Sequence, residues 1–159
     1  MNGWFALIDT AQDDRLHSLV EQCADRTCLL SGDLAPVVAA AAPWLVAIDE
    51  GEPLVGVLRE HGAGRNWGIL LESDLLLDAL RKHLRQFLQA QLPDGTIAMF
   101  RFYDPRVFAT YLPSAPPEQQ AAWFDGVRQF SVEAADGQHN YRWRGGRLFD
   151  GDQPATAQG

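Results

Sequence analysis

The spacing of apolar positions along the chain changes several times, and each change marks an element. WFALID, Trp4 to Asp9, is almost wholly apolar and stops at polar residues, which predicts a strand buried on both faces. DDRLHSLVEQC follows with Leu16, Leu19, Val20 and Cys23 at helical spacing and Asp13 or Asp14 in a capping position. CLLSG, Cys28 to Gly32, reads as a second strand, and Pro36 opens a helical turn to Ala42 before a third strand, Trp44 to Ile48. EPLVGVLREHG predicts an amphipathic helix closed by Gly62, and Trp67 to Leu71 a fourth strand. Ser73 then caps the longest predicted helix, DLLLDALRKHLRQFLQAQL, on which Leu76, Leu80, Leu84, Phe87 and Leu88 form one stripe. A Pro93-Asp94-Gly95 turn leads into the strand TIAMFRFY.

This alternation of strands and helices predicts an α/β fold with a mixed, mostly parallel sheet flanked by helices. After Tyr111 the pattern shifts. LPSAPPEQQAAWFDG carries three prolines and a short helix, Pro117 to Phe124, and FSVEAADGQHNYRWRGGRLFDG alternates around DG and GG turns as hairpin strands do. The expected organisation is therefore an α/β core over residues 1–112, a smaller helix-plus-hairpin C-terminal lobe over 113–150 that continues the core, and a loose tail over 151–159.

Charge narrows the function. Acidic residues outnumber basic ones 21 to 13, for a net charge of −8. A nucleic-acid binder needs clustered Lys and Arg, and an anionic membrane surface attracts the same charge, so neither partner is expected. The start, MNGWFALIDTAQDD, lacks a basic region and reaches acids at once, and no apolar run approaches the roughly 18 residues of a membrane helix. We therefore expect a cytoplasmic protein, with Cys23 and Cys28 as small buried or half-buried thiols.

Catalytic signatures are scarce. HGAGRNWG, His61 to Gly68, comes near a phosphate loop, but it precedes a strand, whereas such a loop follows a strand and opens a helix. No serine sits in a Gly-x-Ser-x-Gly elbow, and His17, His61, His83 and His139 lack ligand-like spacing, reading as surface or helix-end residues. No cofactor, no metal and no enzymatic activity are expected.

The densest chemistry lies in MFRFYDPRVFATY, Met99 to Tyr111. Met99, Arg101 and Tyr103 alternate with Phe100 and Phe102 along a strand that Asp104-Pro105 ends. Asp104 then takes the N-cap and Pro105 the first position of a short helix from Arg106. Arg101 is placed to pair with Asp104 or another carboxylate, as a structural tie or as part of a partner contact.

The ordered series ALID, CLLSG, APWLV, WGILLES, LRKHLRQFL and DGTIAMFRFYDPRVF, running from about Phe5 to about Phe130, resembles the family of type VI secretion effector adaptors, small cytoplasmic bacterial proteins long classed as a domain of unknown function. The resemblance implies a non-catalytic adaptor or chaperone that binds a cognate toxic effector and helps load it onto the VgrG spike. It places Arg81, His83, Leu84 and Arg85 in the family helix and Arg101, Asp104, Pro105 and Arg106 in the family corner, as scaffold or partner-binding residues. Aromatic and apolar residues outside the regular alternation are the natural partner anchors: Tyr111, Leu112, Trp123, Phe124, Tyr141 and Trp143, with a small second core under the hairpin as the other reading. Arg142, Arg144 and Arg147 either meet an acidic partner face or line a solvated strand. The alternatives are a small hydrolase-like α/β enzyme and an immunity protein for a neighbouring toxin.

Overall fold

The computed structural model of the protein describes residues 3–30 and 33–155. In chain order it comprises β1 (Trp4–Asp9), a 3-10 turn (Thr10–Gln12), α1 (Asp14–Glu21), β2 (Arg26–Cys28), α2 (Pro36–Ala39) and β3 (Pro43–Ala47). Then come α3 (Pro53–His61), β4 (Gly68–Ser73), α4 (Leu77–Arg85), β5 (Gln89–Gln91), β6 (Ile97–Met99), α5 (Pro105–Ser114) and α6 (Pro117–Trp123). The chain closes with β7 (Val127–Ala134), β8 (Gly137–Arg144), β9 (Arg147–Asp150) and β10 (Gln153–Pro154).

Eight of the strands form one sheet in the order β10-β9-β8-β7-β4-β1-β3-β2, and β5 and β6 form a separate hairpin. Every neighbouring pair in both sheets is antiparallel. The expectation of a mixed, mostly parallel sheet is therefore wrong, and the reason is topological. The β3–α3–β4 unit does join two strands that run the same way, but β1 lies between them and opposes each. A strand–helix–strand rhythm reveals the direction of a crossover; it does not reveal whether a third strand fills the gap. Leu70 and Leu71 of β4 pair with Ser131 and Phe130 of β7, so the hairpin strands extend the main sheet.

Both faces of β1 are buried, as its apolar run predicts. Phe5 and Leu7, with Leu45, Ile69 and Leu71, face the larger core, where they meet Leu80, Leu84, Phe108, Leu112 and Trp123 from α4, α5 and α6. Ala6 and Ile8, with Val46, face Leu16, Val20 and Leu54 from α1 and α3, closed by Trp67. Each buried Leu, Ile or Phe among these contributes about 1.5–3 kcal/mol, so a strand that serves two cores is costly to disturb. The second core ends at β4: none of its members comes from β7, β8, β9 or β10.

Local signals account for most boundaries. Asp13 caps α1 through its side chain, accepting from the Arg15 N–H, and Asp104 caps α5 likewise from the Arg106 N–H, with Pro105 at the first turn. The long helix predicted over residues 74–92 is cut at both ends. Ser73 ends β4 by donating to Gly126 O at 2.5 Å, and α4 begins only at Leu77. Past Gln86 the chain turns over and 89–91 pairs with Ile97–Met99, because the Pro93-Asp94-Gly95 turn supplies a partner strand that helix propensity cannot outweigh. That hairpin strand stops at Met99, short of the expected Tyr103. The second strand lies at Arg26–Cys28, and residues 31–32 of the expected CLLSG strand lie outside the described residues. The expected tail contributes β10, and its residues 156–159 lie outside the described residues. Among the described residues no helix is long and apolar enough to cross a membrane.

Gly68 opens β4 opposite Ile8 of β1. A Cβ built there would run into the backbone carbonyl of Leu7, which no side-chain rotation relieves. Gly68→Ala is expected to cost at least about 1–3 kcal/mol in urea unfolding, the usual range for overpacking, because the obstacle is a central strand's backbone.

Candidate partner-binding surface

The Asp-Pro corner is organised by two carboxylate–guanidinium pairs. Asp104 accepts from the Arg106 N–H at 2.9 Å, Arg106 Nε at 3.0 Å and Arg106 Nη2 at 2.8 Å, a cap and a forked ion pair on one side chain. Burial opposes the charge of Asp104, and the Arg106 hydrogen bonds overcome it, holding this carboxyl below its ordinary value. Arg101 turns away to Asp9, 92 residues earlier, donating from Nη2 to Oδ2 at 2.7 Å. Asp9 is 1% exposed and ends β1; it also accepts from Ala11 N–H and Gln12 Nε2. The arginine thus ties the corner to the central strand and lies 5.4 Å from the Tyr103 ring centroid.

The family-helix residues point in different directions. Arg81 donates to the carbonyls of Cys28 and Leu30, fastening the edge strand β2 to α4. His83, expected at a surface or helix end, is buried, and its Nε2 sits 3.0 Å from the Trp123 carbonyl. Leu84 lies in the core, and Arg85 is half-buried. Cys23 is buried and Cys28 half-buried, both free; burial pushes the Cys23 thiol up to about 11 and Cys28 upward as well.

Trp123, 1% exposed, is the hub of an aromatic cluster. Phe87 stacks on it at 3.8 Å, and Phe102, Phe108, Tyr111 and Phe130 meet it edge-on or nearly so at 4.9, 5.2, 5.9 and 6.1 Å. Leu112 is fully buried beside them. Phe124 reaches Phe130 at 5.3 Å and stacks on Trp143 at 6.4 Å, both half-buried, while Tyr141 lies buried under the hairpin. Of the proposed anchors, Leu112, Trp123 and Tyr141 are therefore core side chains, and Tyr111, Phe124 and Trp143 keep some surface.

Where this cluster reaches solvent it opens into a groove of about 430 Å³, walled by Phe87, Phe100, Tyr111 and an edge of Trp123, and rimmed by Gln86, Gln89, Gln91 and Gln119. Tyr111 Oη donates to Gln119 Oε1 at 3.3 Å and accepts from Trp123 Nε1 at 3.3 Å. The β5–β6 hairpin forms one bank and exposes Ile97 (60%) and Met99 (49%). Sequence reading identified Tyr111 and Trp123 but not the glutamine rim, of which Gln89 and Gln91 lie where the end of the predicted long helix becomes a strand and Gln119 comes from α6.

The residues that build this groove, the corner and the central strands fall within one stretch of sequence. Residues 4–122 match the model of a family described as a domain of unknown function (DUF4123). The chain belongs to that family. Neither the curated proteins nor the solved structures yielded a match. The DUF4123 span includes the Asp9–Arg101 tie, the Asp104–Arg106 corner and the groove apart from Trp123, and ends just before that residue.

A second charged cluster lies beyond the span. His139 stacks on Tyr141, with Nδ1 2.6 Å from Asp150 Oδ2 and Nε2 2.7 Å from Asp136 Oδ1. Both ring nitrogens can donate at once only in the imidazolium form. Burial disfavours that charge, but the two carboxylates outweigh it and raise the His139 pKa. A raised value means that this stabilisation is complete below the ordinary histidine value near 6.5 and fades as pH rises through the folded-state value.

Arg101→Met strips the counter-charge from buried Asp9 and is expected to cost about 1–3 kcal/mol in denaturant unfolding, while Asp9→Asn in the same background recovers part of it. The melting-temperature gap between the wild type and His139→Gln should be wide at pH 5.5 and narrow by pH 9; a gap that widens with pH would contradict the paired imidazolium.

Proposed function

We propose that this chain is a non-catalytic adaptor that binds a cognate toxic effector of a type VI secretion system and helps load it onto the VgrG spike in the bacterial cytoplasm. The observation that carries this reading is the DUF4123 match over residues 4–122, which takes in each quoted motif from ALID to FRFYDPRVF that resembles the effector adaptors. The geometry agrees with it. The aromatic wall of the groove offers large apolar area at low side-chain entropy, and glutamine amides donate and accept, as an extended peptide backbone requires. The neighbouring hairpin has two strands and so leaves free edges for strand addition. Arg101, Asp104, Pro105, Arg106 and Arg81 are scaffold in this reading, and Tyr111 is the anchor of partner contact.

Capture of the tagged protein from its native bacterium, followed by mass spectrometry, should recover a large protein encoded beside it, with or without the spike protein. Tyr111→Ala should lower that yield about tenfold or more, the loss typical of an interface hot spot, while leaving the melting temperature within a few degrees. Trp123→Ala is no substitute, because it would empty the core. If the protein comes down alone from cells that contain the neighbouring protein, the adaptor reading fails. If it is recovered and abolishes the toxin's activity, the chain is an immunity protein.

A further inference from the structure

We infer that the solvent face of β8 and β9 is a binding site for an acidic polypeptide segment, with Arg142, Arg144 and Arg147 as its donors; this deepens the adaptor reading and rests on it. Register and strand alternation put these residues on one face. Arg142 lies opposite Phe149 and Arg144 opposite Arg147, while Trp143 and Leu148 point to the core side. Arg144 and Arg147 sit 4.7 and 5.8 Å from the Phe149 ring centroid, and Arg142 Nε donates to Gln129 Oε1 at 2.6 Å. Gln129 is itself held by Ser131 Oγ at 2.7 Å, so a buried amide aims the Arg142 guanidinium outward.

The charge balance is what calls for a partner. In a chain of net charge −8, no carboxylate among the described residues pairs with any of these three arginines. Arg15, Arg59, Arg101 and Arg106 each pair with a carboxylate and Arg128 with two, while Arg26 and Arg81, which have none, donate to backbone carbonyls instead. Glu133, the carboxylate on this face of β7, is engaged by the Gly64 N–H at 2.6 Å. Like charges directly opposite one another destabilise an antiparallel pair, and the Gly145-Gly146 turn holds Arg144 against Arg147. Forked guanidiniums around an aromatic ring match carboxylates on an extended chain. The site also lies wholly beyond residues 4–122, in sequence that the family model does not cover, where a feature private to one partner belongs.

The test uses the full chain and fluorescein-labelled octaglutamate, read by anisotropy, with octalysine and an eight-nucleotide single-stranded DNA as controls. Octaglutamate should bind, weaken about tenfold between low and moderate salt, and weaken at least about fivefold in Arg144→Gln/Arg147→Gln, while octalysine should not bind. The same double variant should melt no lower than the wild type, because it removes a like-charge pair; the single Arg144→Gln repeats the measurement should the double misbehave. No octaglutamate binding, or binding indifferent to these substitutions, overturns the inference. DNA binding as tight as that of the peptide overturns the commitment to a polypeptide. The peptide result is independent of any captured partner, so its failure alone sinks this inference, and failed capture beside intact peptide binding sinks the adaptor reading.

Discussion

The ion pair between Asp9 and Arg101 joins parts of the chain that the rest of the structure needs in register. Asp9 ends β1, the strand whose alternate side chains serve both cores, and Arg101 opens the turn that delivers α5. A carboxylate that is 1% exposed is costly to bury without a counter-charge, whereas Arg101 keeps 49% of its side chain in water and pays little desolvation. The pair is therefore asymmetric: the strand end requires the arginine more than the arginine requires the strand. That asymmetry fixes where the corner must sit, and Asp104 then caps α5 from a position already determined.

With α5 set, the aromatic cluster follows. Phe108 and Tyr111 from α5, Phe87 from the end of α4 and Trp123 from α6 converge because each helix meets the same sheet face. The His83 contact to the Trp123 carbonyl closes the arrangement from the α4 side. The groove is what remains when this cluster meets the β5–β6 hairpin, which has no place in the main sheet and so stands as its wall.

Local patterns were enough to read much of this. The buried run Trp4 to Asp9, the Asp13 cap and the Asp104-Pro105 helix start are all written in neighbouring residues, and the structure contains each. What resisted reading was non-local. Nothing near Arg101 points to a carboxylate 92 residues away, and nothing in the β3–α3–β4 rhythm announces that β1 separates the two strands. The long amphipathic stripe through Leu88 fits a helix well; only the pairing partner at Ile97–Met99 makes the strand the better state, and the groove's glutamine rim depends on that switch. Tyr111 was legible as a candidate because it is an aromatic where the regular alternation stops, and the structure places it on the groove wall, whereas Gln89 and Gln119 carry no signal of their own.

The boundary of the DUF4123 span is not a physical boundary. It stops one residue short of Trp123, the most connected ring of the core, and before β7, whose Phe130 pairs with Leu71 of β4 and packs against Phe108. A fragment ending there would expose the Trp123 pocket and leave β4 as a bare sheet edge of apolar residues. The covering strands are thus obligatory, but their outer face is not: the core asks β8 and β9 only for Tyr141, Trp143 and Leu148 on one side. The other side of the same strands carries no residue of the second buried core, and its arginines are exposed. A sheet extended this way confines the demands of the core to alternate residues of its outer strands and leaves the others to solvent.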